Sequence, residues 1–414
     1  MATFSHQGST FVSNFLVIKL LDHAAYGKFS LVNLTAFYTA NILQFAVGST
    51  VSRFVARYAS DRMRLLSVIR ITGAFSFASG LLGLGILALA SGILSRGVFL
   101  EPSLAAPIAI VSLSVPSLIG MVFLIGLLQG LHCFRTLAVS SVASGVLFVV
   151  TVAAGAWAGD LNGAIIGLLI GSTLRGLIMG GLALFELSSE PGMVLSLRGT
   201  LDKPLIRELF RFQVPAGLAG CLTMPTLWLI PTILMRNTQD FAEVASYSVI
   251  LMIKSLMVLP ASVVAIALQP SAEKALGSDQ VDTALRIFRT ASIASLVIVT
   301  ASALFFAIFA KEVLAVFGSS FTSASAELQL MMVGAVAEAG AVALYMRIQA
   351  TSRMWASIFV TLLPRDLLML SLALIFTSRY GLHAVISAHV AGALVNLAGV
   401  FWLSRRALGS LRTL

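Results

Sequence analysis

Twelve times along this chain, roughly twenty residues pass with almost no charge. The stretches lie near 5–21, 29–52, 68–92, 105–130, 137–158, 162–185, 212–235, 245–269, 290–310, 327–346, 355–377 and 382–403. About twenty apolar residues carry a helix across ~30 Å of hydrocarbon. Inside lipid, only helices and closed barrels satisfy their own backbone polar groups. The expectation is an all-α polytopic membrane protein with about 12 transmembrane helices. Composition agrees, with 58% of residues apolar and 11% charged, against about 25% charged in a soluble domain. The first stretch is unusually polar, carrying Ser5, His6, Gln7, Ser9 and Thr10. It is expected to line a polar cavity or to belong to a longer helix. No cleavable signal pattern is expected there, because no basic region precedes the stretch and no small-residue site follows it.

The charges between the stretches set an orientation. Eighteen of the 27 Lys and Arg fall in 53–70, 130–136, 186–211, 270–289, 347–354 and 404–414; five lie in the opposite loops and four within stretches. The positive-inside rule puts the basic side, and both termini, in the cytoplasm. The net charge of +10 is thus mostly a topology signal, and a nucleic-acid partner is not expected.

The chain also repeats itself. Ala25-Tyr26-Gly27 after the first stretch resembles Ser246-Tyr247-Ser248 after the seventh, an offset of 221. At the same offset, Gly163, Gly167 and Gly171 in the sixth stretch match Ala384, Ala388 and Gly392 in the twelfth. Small residues spaced by four let helices approach closely. Six crossings return a chain to its starting side. Two pseudo-symmetric six-helix bundles are therefore expected, over 1–186 and 212–414, joined by a cytoplasmic linker over 187–211. Parallel repeats of this kind place a binding site at their interface.

The run Phe210 to Pro270 holds two apolar stretches that read as the wall of a polar cavity. Pro215, Pro225 and Pro231 interrupt the first, and Lys254 sits inside the second. Proline removes a backbone donor and kinks a helix; a charge at membrane depth is expensive and usually faces an interior. Arg175 continues the glycine row one turn beyond Gly171, and Arg365 follows Pro364. Asn33, Asn41 and Gln44 form a polar stripe on the second stretch, and Tyr247 shares a face with Lys254. These positions suit a wet lumen that binds an anionic cargo; interhelical ion pairs and snorkelling are the structural alternatives. Glu338 and Asp366 are candidates to titrate during transport, or to act as fixed counter-ions of the arginines. Arg365 and Asp366 leave a helix about 100° apart and need not pair. His389 is a candidate member of a proton path, although a lone histidine on an apolar face is more often a satisfied core residue.

Nothing in the pattern calls for a cofactor or metal. Cys133 and Cys221 match no metal or redox spacing, and no Walker loop, dinucleotide fingerprint or nucleophile elbow occurs. Without a nucleotide-binding domain, active transport must draw on an ion gradient, the substrate gradient or a partner.

Several short motifs resemble polysaccharide flippases in order and spacing. They are Leu21-Asp22-His23-Ala24-Ala25-Tyr26-Gly27, Arg53-Phe54-Val55-Ala56-Arg57, Gln129-Gly130-Leu131 before Phe134-Arg135, Arg211-Phe212-Gln213-Val214-Pro215, Leu259-Pro260 and Leu268-Gln269-Pro270. The chain is similar to the O-antigen/polysaccharide transporter branch of the multidrug/oligosaccharidyl-lipid/polysaccharide (MOP) exporter superfamily. The resemblance implies two six-helix bundles around a central cavity. It implies undecaprenyl-diphosphate-linked oligosaccharide moved across a bacterial inner membrane by alternating access, alongside other polysaccharide assembly proteins. Arg175, Lys254 and Arg365 match the expected cationic lumen by residue type. The absence of a thirteenth and fourteenth stretch argues against the lipid II flippase branch. Three rivals stand beside this reading, one of them a non-transporting assembly scaffold. A multidrug exporter of the same fold should carry carboxylates in its N-terminal cavity, and none lies within the first six stretches. A membrane polysaccharide polymerase or ligase needs a sizeable extracytoplasmic loop, and the outer loops here are short.

Overall fold

The computed structural model describes residues 2–189, 203–277, 280–350 and 354–411. Most of the polar segment expected to join the halves, 190–202, lies outside the described residues. The described chain is helical, with no strand. Its helices are α1 (Ala2–Leu20), α2 (His23–Leu43), α3 (Val47–Arg57), α4 (Arg62–Ile93), α5 (Ala105–Ser112), α6 (Val115–Gly130), α7 (Phe134–Ser189), α8 (Lys203–Thr238), α9 (Phe241–Gly277), α10 (Val281–Ile308), α11 (Ala310–Phe317), α12 (Ser325–Ala350), α13 (Met354–Ser357) and α14 (Leu363–Leu411).

Among the described residues, eight helical stretches are long and apolar enough to cross a membrane, and the bent pair α2–α3 makes a ninth. Two of the eight, Phe134–Ser188 and Trp355–Arg406, run 55 and 52 residues. At 1.5 Å per residue each would span roughly 80 Å, far more than one crossing. Each is broken instead. In α7 the break is Gly159 (φ −154°, ψ 30°) and Asp160 (φ 50°, ψ −134°), and in α14 it is Gly381 (φ 50°, ψ −131°). Taking the arms separately gives eleven crossings, and the more polar α1 brings the helices to the expected twelve. The chain is an all-α polytopic membrane protein. Its outer surface fits that: Leu89 is 85%, Trp157 79% and Ile308 70% exposed, positions that lipid accepts and water would not.

The structure separates into two compact units, Met1–Trp228 and Leu229–Leu414. In the first, α1 packs on α7, both α3 and α4 pack on α6, and α6 packs on α7. Glycines set how closely these helices meet. Gly155 and Gly163 lie so near that a methyl on either would overlap the other's carbonyl, and Gly167 lies likewise against Thr151. The two arms of α7 therefore form a helical hairpin, with the glycine row seen in the sequence as its seam. Gly130 lies against Val55 and the Ser52 carbonyl, closing α3 onto α6.

Caps and breaks follow from local chemistry. Asp22 caps α2 by accepting the Ala25 amide at 2.6 Å, and Asp61 caps α4 through the Arg64 amide at 3.2 Å. The single crossing expected over 29–52 is instead bent by 42° between α2 and α3, with Phe45 and Ala46 at positive φ. Gln44 donates to Asn41 at 3.1 Å just before the bend. The Phe45 ring then fills the space that Gly217 of α8 leaves open.

In the second unit, α9, α10, α12 and α14 pack on one another. Pro364 cannot donate to the Val360 carbonyl, and a π-helical turn at Ile358–Leu362 precedes it. That carbonyl faces Gly399 on the returning arm of α14, where a Cβ would lie 2.6 Å away. Gly392 gives similar room to Met369 and Arg365. The second hairpin thus carries its ionic residues beside its own glycine seam.

Candidate functional site

Five of the eight residues singled out in the sequence converge inside the second unit. α9 contributes Tyr247 and Lys254, which share a face because they are seven residues apart. α12 contributes Glu338. The first arm of α14 contributes Arg365 and Asp366, and the returning arm adds His389.

Lys254 Nζ lies 2.8 Å from Glu338 Oε2. Lys254 keeps 16% of its side chain exposed and Glu338 38%, so the pair is sheltered at one end and open at the other. Arg365 Nε donates to Asp366 Oδ1 at 2.7 Å. The 100° between adjacent side chains made this pairing dispensable on paper. The long arginine folds back over the Gly392 gap and makes it nevertheless. Arg365 is also near enough to act electrostatically on Glu338 and His389, as Lys254 is on His389. The cluster holds two cations and two carboxylates, so it is balanced in this conformation.

Tyr247 is fully buried, and its hydroxyl lies 2.7 Å from His389 Nε2. That satisfies the histidine, as expected of a core residue. It also leaves Tyr247 inside the wall in this conformation, supporting the cluster with no surface to offer a cargo. On α12, seven residues beyond Glu338, Tyr345 shares a hydrogen bond with Ser357 at 3.1 Å.

The remaining three candidates belong to the first unit. Arg175 is 5% exposed. Its Nη2 donates to Ser9 Oγ on α1 at 2.7 Å, and its guanidinium lies 4.3 Å from the Phe148 ring centroid. Arg175 thus clamps α1 to the α7 hairpin in this conformation. Ser9, from the polar start of the first stretch, is the partner that sequence alone did not assign. Asn41 donates to the Phe37 carbonyl at 2.8 Å and accepts from Gln44. Asn33, two turns before Asn41 on the same stripe, is half-buried. The Trp228 indole donates to Thr35 Oγ1 at 3.1 Å, tying α8 along α2.

A second network was not legible in either of its parts. Arg57 Nη1 lies 2.7 Å from Glu208 Oε1, and Tyr58 donates to Glu208 Oε2 at 2.9 Å. Arg53 stacks over Phe212 at 4.5 Å, and Phe54 meets the same ring edge-on at 6.0 Å. Two motifs separated by about 150 residues therefore pack on each other. Burial and the hydrogen bond to Glu208 push the Tyr58 hydroxyl above its ordinary pKa. Among the described residues, no group of three or more His, Cys, Asp or Glu is placed to hold a metal.

Comparison with known proteins places this architecture. Residues 1–272 match a family model described as Polysaccharide biosynthesis protein. The fold is similar to an inward-facing multidrug resistance MATE family transporter of the MOP superfamily, at 17% identity and TM-score 0.83, covering 98% of this chain and 95% of that one. An outward-facing structure of a multidrug resistance MATE family transporter matches with TM-score 0.72 at 17% identity, covering 99% and 96%. A MOP superfamily transporter from Pyrococcus furiosus, noted for the reverse polarity of its binding pocket, matches with TM-score 0.74 at 18% identity, covering 99% and 94%. No protein of curated function matches by sequence.

Proposed function

The chain belongs to the polysaccharide biosynthesis protein family, and from that premise we propose that it is a flippase, not an enzyme. Its cargo is undecaprenyl-diphosphate-linked oligosaccharide, carried across the bacterial inner membrane by alternating access. Both termini face the cytoplasm, and the other proteins of polysaccharide assembly supply and consume the cargo. The observation that carries the reading is the joining of Lys254–Glu338 and Arg365–Asp366 at one place in the second unit.

A diphosphate needs positive charge in a sheltered site, while its lipid tail stays in the bilayer. Arginine suits bidentate phosphate contact and lysine acts as a point charge. Here both cations are already occupied by carboxylates. An arriving diphosphate competes with Glu338 for Lys254 and with Asp366 for Arg365. Protonating either carboxylate removes the competitor and frees the cation, so proton uptake favours cargo binding. Deprotonation restores the ion pairs and favours release. Cargo and proton then travel in the same direction, so the rate depends on the pH difference across the membrane without a further site. Within the first unit, Arg175, Asn33 and Asn41 are cargo contacts in their own right, with Arg175 exchanging its Ser9 contact for cargo when α1 moves.

The shared fold supports the transport step, since multidrug relatives have been captured both inward- and outward-facing. The archaeal relative whose pocket has reverse polarity is a precedent for different function on this fold. The multidrug alternative wants carboxylates within the first six apolar stretches, and the sequence supplies none there. The test is flipping of lipid-linked oligosaccharide by the purified protein in proteoliposomes under an imposed pH gradient. Glu338→Gln and Asp366→Asn should each weaken the dependence of rate on the gradient. Unchanged coupling in both variants would end the proton role, and no flipping by the unaltered protein would end the flippase reading.

A further inference from the structure

The second unit carries a groove that the transport reading does not use. It lies between α10, α12 and the returning arm of α14, with a volume of about 590 Å³, within the size range of ligand sites. Its walls include Ile293, Leu296, Val333, Gly340, Leu394 and Leu397. Ser292 also lines it, but its hydroxyl is spent on the Phe288 carbonyl at 2.7 Å and the Ala343 carbonyl at 3.4 Å. The groove is therefore a hydrocarbon surface. Ile293, Leu296, Val333 and Leu394 are all exposed, so it opens outward.

One end of the groove is cationic. Arg289, Ile293 and Leu296 lie at i, i+4 and i+7 on α10, one stripe of that helix. Leu394, Leu397, Phe401 and Arg405 form the matching stripe on α14. The two stripes are level: Ser292 touches the Ala343 carbonyl, and Gly340 of the same α12 lies against Leu397. Arg289 and Arg405 thus stand beyond the same end of the groove. Both are exposed, and among the described residues neither is in an ion pair. Arg405 stacks on Phe401 at 4.4 Å, and Arg406 on Trp402 at 3.9 Å. Aromatic rings under arginines mark the level where hydrocarbon gives way to headgroups.

We propose that this groove binds an anionic glycerophospholipid, with an acyl chain along α12 and the phosphate at Arg289 and Arg405. The charge at the mouth selects the anionic headgroup, and the apolar walls hold the chain. The site lies wholly within one unit.

The test is lipid retention by the delipidated, purified protein, measured by native mass spectrometry. Phosphatidylglycerol and phosphatidylcholine with identical acyl chains are the probes. Two arginines at a membrane surface should favour phosphatidylglycerol roughly 30-fold. Arg289→Gln with Arg405→Gln should abolish that preference, and Leu296→Trp, which fills the groove, should reduce retention of both lipids. Arg379→Gln, at the far end of α14's first arm, should change nothing. Each variant's unfolding temperature is recorded first; because the double arginine variant alters only exposed side chains, it keeps the test open if the tryptophan variant does not fold. Equal retention of the two lipids by the unaltered protein, or an unaltered preference in the double variant, would overturn the proposal. So would displacement of bound phosphatidylglycerol by an equal concentration of polyprenyl phosphate, which would make the cargo the occupant.

Discussion

Lys254 on α9 places its ammonium 2.8 Å from Glu338 Oε2 on α12, a bond that links two helices of the cluster through opposite charges. Removing one partner of a fully buried pair costs about 3–5 kcal/mol. With 38% of Glu338's side chain exposed, Lys254→Ala should cost less, about 1–2 kcal/mol, because solvent screens the orphaned carboxylate. Lys254→Met combined with Glu338→Leu should recover most of that stability, since apolar replacement of an ion pair is often neutral. Neither variant should flip lipid-linked oligosaccharide. Thermal unfolding in nanodiscs reads the first effect and proteoliposome flipping the second. A double variant that regains transport would make the pair a structural bolt.

Asp160 and Gly381 turn the two hairpins with nearly the same backbone, φ 50° and ψ −134° against φ 50° and ψ −131°. Only glycine takes that conformation without strain. Asp160→Gly should therefore raise stability by about 0.5–1 kcal/mol, net of the entropy glycine adds to the unfolded chain. Gly381→Ala should do the opposite. It adds backbone strain and a methyl 2.7 Å from the Glu243 carboxylate, which accepts the Leu382 amide at 2.8 Å. A loss above about 1 kcal/mol is expected, read as a lower unfolding temperature. An unshifted Gly381→Ala would mean that Glu243 yields without cost.

That shared turn also shows what the sequence carried and what it did not. The offset of 221 was visible in Tyr26 and Tyr247 and in the glycine and alanine rows. Residues 160 and 381 obey the same offset but are aspartate and glycine, so only the dihedral angles reveal the match. The helices were legible because hydrocarbon demands long apolar runs. The bend after Gln44 was not, because Phe45 and Ala46 are ordinary apolar residues whose positive φ is held by packing against Gly217 on a distant helix. Lys254, Glu338, Arg365 and Asp366 stood out because charge in an apolar run is rare. Their pairing was hidden, since it depends on which helices become neighbours. Arg175's clamp on Ser9 and Glu208's grip on Arg57 and Tyr58 were hidden for the same reason.

The loop after α4 carries its own pH dependence. Hydrogen bonding from Ser103, together with the Lys28 ammonium 3.3 Å away, holds the Glu101 carboxyl below the ordinary glutamate range despite some burial. A carboxyl whose folded pKa is depressed stabilises the fold above its unfolded pKa and loses that contribution as pH falls through the folded value. Unfolding temperature should therefore drop on the acid side of the glutamate range. Glu101→Gln should flatten that part of the curve while leaving the neutral-pH limb parallel to the original. Identical acid limbs in the two proteins would show that Glu101 contributes nothing to the pH response.

α8 runs as one helix from Lys203 to Thr238 with Pro215, Pro225 and Pro231 inside it. Each proline lacks the N–H that would close a backbone bond, so the carbonyls of Cys221 and Leu227 lose their partners four residues on. A helix missing those bonds bends at less cost than an intact one, which suits an element that must change shape as access alternates. The Cys221 thiol donates to the Ile42 carbonyl at 3.6 Å, and Trp228 donates to Thr35 at 3.1 Å, so this segment is held along α2 while its own ladder is weak. Pro225→Ala and Pro231→Ala each restore a backbone bond. Together they should raise the unfolding temperature, because proline costs about 3 kcal/mol in a helix interior before neighbours compensate. The same stiffening should slow flipping severalfold without weakening cargo binding, since neither proline belongs to the Lys254–Arg365 cluster. Flipping rates and cargo affinity measured on one preparation separate the two effects, and an unaltered rate in the doubly substituted protein would remove the gating role from α8.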